Sequence, residues 1–266
     1  MSIRKLITRD TNIIELYRTN NNYRLLSNKL HIDYSILKIW HSWYKDSNKE
    51  YYYFKDFNND NKRFINELIG EYLAKKISLD SIHYEIAKKD DTYGLASKSF
   101  INKKNKYYYM IDLYLPNAPD NLYNLERLKD KCKTDEEYET LLKEIFKMTA
   151  IDIYMSQTDR IKSSNIQFRK DRTGLHLAPL YDYEKSFMDP NIAIYKSNLL
   201  TLNLYNKDYI NEYPYLYELI DNIFEININH VLEEIEDERK ILIPNNDKFE
   251  YEKFYNIRKK QIKRTR

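Results

Sequence analysis

The run Leu115-Pro116-Asn117-Ala118-Pro119 sets two prolines within four residues, and neither a helix nor a central strand continues through such a pair. The character of the chain changes across it. Upstream, residues 50–55, 82–86, 93–100 and 107–114 are short aromatic and β-branched runs of strand flavour. Downstream, Thr134 and Glu137 form a capping pair ahead of Tyr138, Leu141, Leu142, Ile145 and Met148, which make one apolar stripe at helical spacing. Residues 215–236 repeat that helical pattern, with Leu216, Leu219, Ile220, Ile223 and Phe224 expected to face inward. The expected class is α+β with two lobes, a strand-rich lobe over 1–115 and a mostly helical lobe over 116–266, each long enough to bury its own core.

Composition narrows the function more than it names it. Lys and Arg number 44 against 41 acidic residues, a net charge of +3, which is too small a field to argue for direct nucleic-acid or membrane binding. One cysteine, Cys132, excludes an intramolecular disulfide and a multi-cysteine metal site. No run approaches the roughly 18 apolar residues of a membrane span, so a cytoplasmic protein without membrane contact is expected. The three glycines, Gly70, Gly94 and Gly174, cannot make a glycine-rich phosphate loop, and any nucleotide-covering turn must use Ser, Asp and Asn.

The chemistry-bearing stretch is residues 155–187. Asn165 opens an alternating run over 166–169, a polar turn over 170–174 carries Gly174, and a second run over 175–178 leads to Leu180-Tyr181-Asp182. At about 3.3 Å per strand residue, folding the second run onto the first brings Asp182 near Asn165 and Asp159. Two carboxylates and an amide oxygen are hard donors that suit Mg²⁺. An Asp-rich loop before a hairpin is also the ordinary form of a solvated turn. Earlier in the chain, Lys55 ends a strand, residues 58–61 offer helix caps, and Phe64, Ile65, Leu68, Ile69, Tyr72 and Leu73 mark a helix that carries Glu67 in its first turns.

Taken in order, strand Lys55, helix Asn66-Glu67, Ser97-Lys98-Ser99-Phe100, Asp159, Asn165 and Pro179-Leu180-Tyr181-Asp182 resemble the HipA-like serine/threonine kinase family, here in a minimal single-chain form. The resemblance implies a two-lobed protein-kinase-like fold, ATP and Mg²⁺, and a toxin-like regulatory kinase. It also implies a protein substrate and an antitoxin-type partner. By position, Asp159 would be the catalytic base, Asn165 and Asp182 the metal ligands, Lys55 the contact to ATP phosphates and Glu67 the residue that orients Lys55. The family usually leaves four residues between the Asp and the Asn and often has His two after the Asp. Here five intervene and that position is Ile161. With the missing glycines, this supports a second reading, a catalytically impaired nucleotide-binding pseudokinase or interaction module.

A third reading is a DNA-binding helix-turn-helix, with a first helix over 23–30 and a recognition helix over 34–43. Against it, Ile36, Lys38, Trp40, Ser42 and Tyr44 alternate with Leu37, Ile39, His41 and Trp43, which predicts a hairpin over 35–55 instead. Cys132 and His230 read as structural. The basic residues Arg258, Lys259, Lys260, Lys263, Arg264 and Arg266 read as a solvated terminal helix or a docking tail for acidic partners.

Overall fold

The computed structural model describes residues 2–18, 43–100, 105–109, 125–161, 165–191 and 213–264. Five strands, β1 (Ile14–Arg18), β2 (Trp43–Lys45), β3 (Tyr51–Asp56), β4 (Glu85–Lys89) and β5 (Thr92–Lys98), close into a barrel in the order β1-β2-β3-β5-β4. Neighbours are antiparallel except β1 and β4, which close the barrel as a parallel pair. Strand alternation sends Tyr52 and Phe54 into a small cluster with Leu16, Ala87 and Ala96. Lys55 therefore lies on the other face, toward the helix that follows.

That helix, α1 (Asn61–Lys76), is started by Asp60, whose carboxylate accepts the Arg63 N–H at 3.2 Å. Its buried residues run without a break from Phe64 to Ala74, because it is enclosed by other elements instead of facing water on one side. The expected hairpin is present where the chain is described, as β2 and β3; residues 35–42, and the helix-turn-helix segment up to residue 42, lie outside the described residues. The strand expected over 82–86 begins only at Glu85. Ser81 bridges Leu180, the Ile82 N–H donates to the Leu180 carbonyl at 2.9 Å, and the Tyr84 N–H donates to the Glu71 carboxylate at 3.2 Å. Those backbone groups are committed to other partners before the barrel is reached.

Strand β6 (Lys106–Tyr109), read from the sequence as the last strand of the first lobe, pairs with β7 (Gln167–Lys170), which pairs in turn with β8 (Leu175–Leu177). Local pattern marks a strand but does not choose its partner. The proline run at 115–119 lies outside the described residues.

The helical half holds α2 (Leu125–Lys129), α3 (Asp135–Met155), α4 (Pro214–Phe224), α5 (Ile228–Arg239) and α6 (Asn245–Arg264). Thr134 caps α3 as expected, accepting the Glu137 N–H at 3.2 Å. Glu137 does not return to the cap's own N–H. Its carboxylate accepts the Lys133 N–H at 2.8 Å and the Leu175 N–H at 2.6 Å, which ties the start of α3 to the hairpin. Gly174 sits at φ 142°, and a Cβ there would lie 2.6 Å from the Glu137 side chain, so the turn requires glycine.

Two sequence expectations are corrected here. Residues 215–236 are not one helix: α4 stops at Phe224, and Asn227 starts α5 by accepting the Asn229 N–H at 2.9 Å. The basic C-terminal segment is not simply solvated. Arg258 is 1% exposed and donates twice to the Ile153 carbonyl, at 2.8 and 3.2 Å, in the last turn of α3. Burial pushes the Cys132 thiol up to about 11, which leaves it inert at neutral pH. His230 is exposed, with Glu234 at 3.8 Å. Among the described residues, no helix is long and apolar enough to cross a membrane.

Candidate active site

Lys55 is the centre of a cluster of charges. Its ammonium donates to Glu67 Oε1 at 2.5 Å and to Asp182 Oδ1 at 2.7 Å, and lies 3.1 Å from Glu184 Oε2. Burial works against this charge. The three carboxylates outweigh that cost and hold Lys55 protonated well above the ordinary lysine range. Glu67 is fully buried on α1, and its carboxylate also accepts the Tyr183 N–H at 3.0 Å and the Glu184 N–H at 3.2 Å. The pairing of Lys55 with Glu67 expected from the sequence is thus extended to the segment after β8.

The same segment is held to α1 at further points. Asn66 donates to the carbonyls of Glu184 at 3.0 Å and Ser186 at 2.7 Å, and accepts the Tyr251 hydroxyl at 2.7 Å. Gly70 lets the Tyr183 ring lie against the helix, since a Cβ there would be 2.2 Å from a ring carbon. Farther along, the Phe187 N–H donates to the Met155 carbonyl at 2.7 Å and the Ser156 hydroxyl to the Asp189 carbonyl at 3.0 Å. Asp182 has φ 66° and Phe187 φ 56°, the left-handed region, so the segment turns sharply at both places.

Asp159 and Asn165 form a second pair. The Asn165 amide donates to the Asp159 backbone carbonyl and to Asp159 Oδ2, both at 3.1 Å, and Lys185 donates to the same Oδ2 at 3.1 Å. Gln157 joins the two pairs: its amide nitrogen donates to the Asp182 carbonyl at 2.6 Å while its amide oxygen accepts the Asp159 N–H at 3.1 Å. Arg160 joins them a second time, with one nitrogen donating to the carbonyls of Asn165 and Tyr181, each at 3.1 Å. Its guanidinium is fully buried, pairs with the equally buried Asp152 at 2.7 Å and lies 4.5 Å from the Tyr183 ring centre. Asp152 holds Arg160 charged against the cost of burial.

All five residues singled out from the sequence therefore lie on one connected network. They assemble differently from the expected ligand pair. The carboxylates brought close are Glu67, Asp182 and Glu184, one oxygen of each lying within 4.8 Å of the others, while the Asn165 side chain is engaged with Asp159. Glu184, Lys185, Arg160, Asp152 and Gln157 were missed. For Asp152 a signal existed: an acid inside the apolar run Ala150-Ile151-Asp152-Ile153-Tyr154-Met155 must find a buried partner. Glu184 and Lys185 carried no such signal, since an Asp-Tyr-Glu-Lys string is also an ordinary surface loop.

No family model matches the chain, and no curated protein matches it. Solved structures do. The proinflammatory kinase CtkA of Helicobacter pylori is 15% identical with a TM-score of 0.59, over 84% of this chain and 92% of that one. HipA of Shewanella oneidensis MR-1, solved as a toxin–antitoxin complex with HipB and operator DNA, is 13% identical with a TM-score of 0.53, over 80% of this chain and 57% of that one. At these identities the likeness is one of fold: the chain has a HipA-like kinase fold, α+β and two-lobed.

Proposed function

We propose that this protein is a serine/threonine kinase that transfers the terminal phosphoryl group of ATP to a hydroxyl on a protein. The observation that carries the reading is the Lys55–Glu67–Asp182 triad, set beside the Asp159–Asn165 pair within a HipA-like kinase fold. Phosphoryl transfer asks little covalent chemistry of a protein and much positioning. Lys55, half-buried and held charged, would contact phosphate oxygens, and Glu67 fixes it in direction. Asp159 would accept the proton of the attacking hydroxyl, with Asn165 and Lys185 orienting its carboxylate. Arg160 and Gln157 hold the Asp159 loop and the Asp182 segment in register.

The donor set fits Mg²⁺. Glu67, Asp182 and Glu184 set hard carboxylate oxygens close together, and Asp182 with Asn165, the pair that the family resemblance implies, would hold the ion. When bound, it would neutralise phosphate charge. Lobes over 1–115 and 116–266, a cytoplasmic setting and an antitoxin-type partner belong to the same reading; the partner is supported by the HipA neighbour, solved in complex with HipB.

The experiment is intact-mass measurement after incubation with ATP and MgCl₂, alone and with candidate protein substrates. Phosphoryl mass gained by the wild type, with Asp159→Asn slower by about 100- to 10,000-fold, is the expected result. A second reading, a nucleotide-binding protein without transfer, is favoured by the five residues between Asp159 and Asn165. It predicts nucleotide binding with no mass gained in either protein.

A further inference from the structure

An ammonium has three N–H donors, and all three on Lys55 have a carboxylate within reach: Glu67 at 2.5 Å, Asp182 at 2.7 Å and Glu184 at 3.1 Å. A phosphate oxygen that binds Lys55 must displace one of them. Glu67 is the least able to leave, being fully buried and holding two backbone N–H groups as well. Asp182 lies in a backbone conformation fixed by its own left-handed φ and by the Gln157 amide on its carbonyl. Glu184 is different in two ways. Its contact to Lys55 is the longest of the three, and its other oxygen already accepts from Arg63, whose side chain is one-third exposed.

Glu184 can give up Lys55 without becoming an unpaired buried charge, because Arg63 keeps it. Taking Lys55 as the phosphate contact of the nucleotide site proposed above, we infer that Glu184 is the displaceable partner of Lys55 and sets the affinity of that site for polyphosphate. With Glu184 in place, two cations, Lys55 and Arg63, face three carboxylates, and an incoming polyanion meets excess negative charge. When Glu184 retreats to Arg63, Lys55 recovers a donor. Glu184 acts through Lys55 and is a positioning residue in this sense.

The test is equilibrium binding of ATP and of inorganic tripolyphosphate, each with MgCl₂, to wild type, Glu184→Gln and Arg63→Met, with melting temperatures recorded on the same samples. Glu184→Gln is isosteric and keeps a hydrogen bond to Arg63. It is expected to bind both probes on the order of tenfold more tightly, the scale of one like charge removed at this range. The KM for ATP should fall with it. Arg63→Met removes the place to which Glu184 retreats and is expected to weaken binding. Glu184→Gln binding no more tightly than wild type while melting normally overturns the inference, as does tighter binding by Arg63→Met. If wild type still transfers phosphate in that case, only the role of Glu184 is lost. If neither wild type nor Glu184→Gln binds either probe, the inference fails, and if transfer is absent too, the nucleotide site fails with it.

Discussion

Two charged groups built from nearby pieces of chain behave in opposite ways. Arg160 and Asp152 are both fully buried, balanced one to one, and every other contact of Arg160 named above is to backbone carbonyls or to the Tyr183 ring. Lys55 faces three carboxylates, two of them partly exposed, so its cluster carries more negative charge than it neutralises. A balanced buried pair is compensated in charge without a ligand and serves to hold segments together. An unbalanced, half-open cluster is costly unless something else binds, which is the arrangement expected where a cation and a polyanion arrive together.

The largest effect should come from breaking the balanced pair. Asp152→Asn leaves the Arg160 guanidinium buried without its counter-charge and is expected to cost about 3–5 kcal/mol, read from denaturant unfolding. If the loss is under 1 kcal/mol by the same measure, on the order of an exposed pair, the contrast drawn here is wrong. Gly70→Ala comes next. Alanine is ordinarily the better helix former, but its methyl would meet the Tyr183 ring, and such overpacking typically costs about 1–3 kcal/mol. A stabilised variant would show that the segment after Asp182 yields easily. Asp182→Asn removes one of three carboxylates around Lys55 and places asparagine at a left-handed φ that it tolerates well, so unliganded stability should stay within about 1 kcal/mol of wild type.

The smallest effect concerns a third cluster, at the back of α1. Glu71 accepts His83 Nδ1 at 2.6 Å and Arg239 at 2.8 Å. The hydrogen bond to Glu71 raises His83 above its ordinary value of 6.5, against burial and Arg239. A raised folded-state value means that the stabilisation is fully present below 6.5 and is lost as pH climbs through the folded value. The melting difference between wild type and His83→Gln should therefore be largest in acid and shrink on the alkaline side. A difference that grows with pH would reverse the sign and remove the ion pair from the explanation.

Much of this was legible in the sequence, for identifiable reasons. The strand ending on Lys55 and the helix carrying Glu67 could each be read from their own period, but their pairing came only from the family resemblance. The hairpin was marked by Gly174 in a polar turn, and α3 by Thr134 and its apolar stripe. The break between α4 and α5 was hidden because Ile226 and Ile228 keep the apolar pattern going across it, and only the Asn227 cap reveals it. The partner of β6 depends on topology. Arg258 looked like part of a basic tail because charge is visible in a sequence and burial is not. Glu184 escaped for a related reason: its importance arises from converging on Lys55 from 129 positions away, a geometry that no local spacing encodes.

The contrast between the two charged groups is tested most directly by thermal melting of wild type, Asp152→Asn and Asp182→Asn, each with and without ATP and MgCl₂. At nucleotide about 100 times its dissociation constant, a single site adds roughly 2.7 kcal/mol. Wild type should gain that shift. Asp152→Asn should start from a lower melting temperature and still gain it, while Asp182→Asn should start near wild type and gain none. A nucleotide shift that survives in Asp182→Asn would contradict the assignment of the Lys55 cluster as the ligand site.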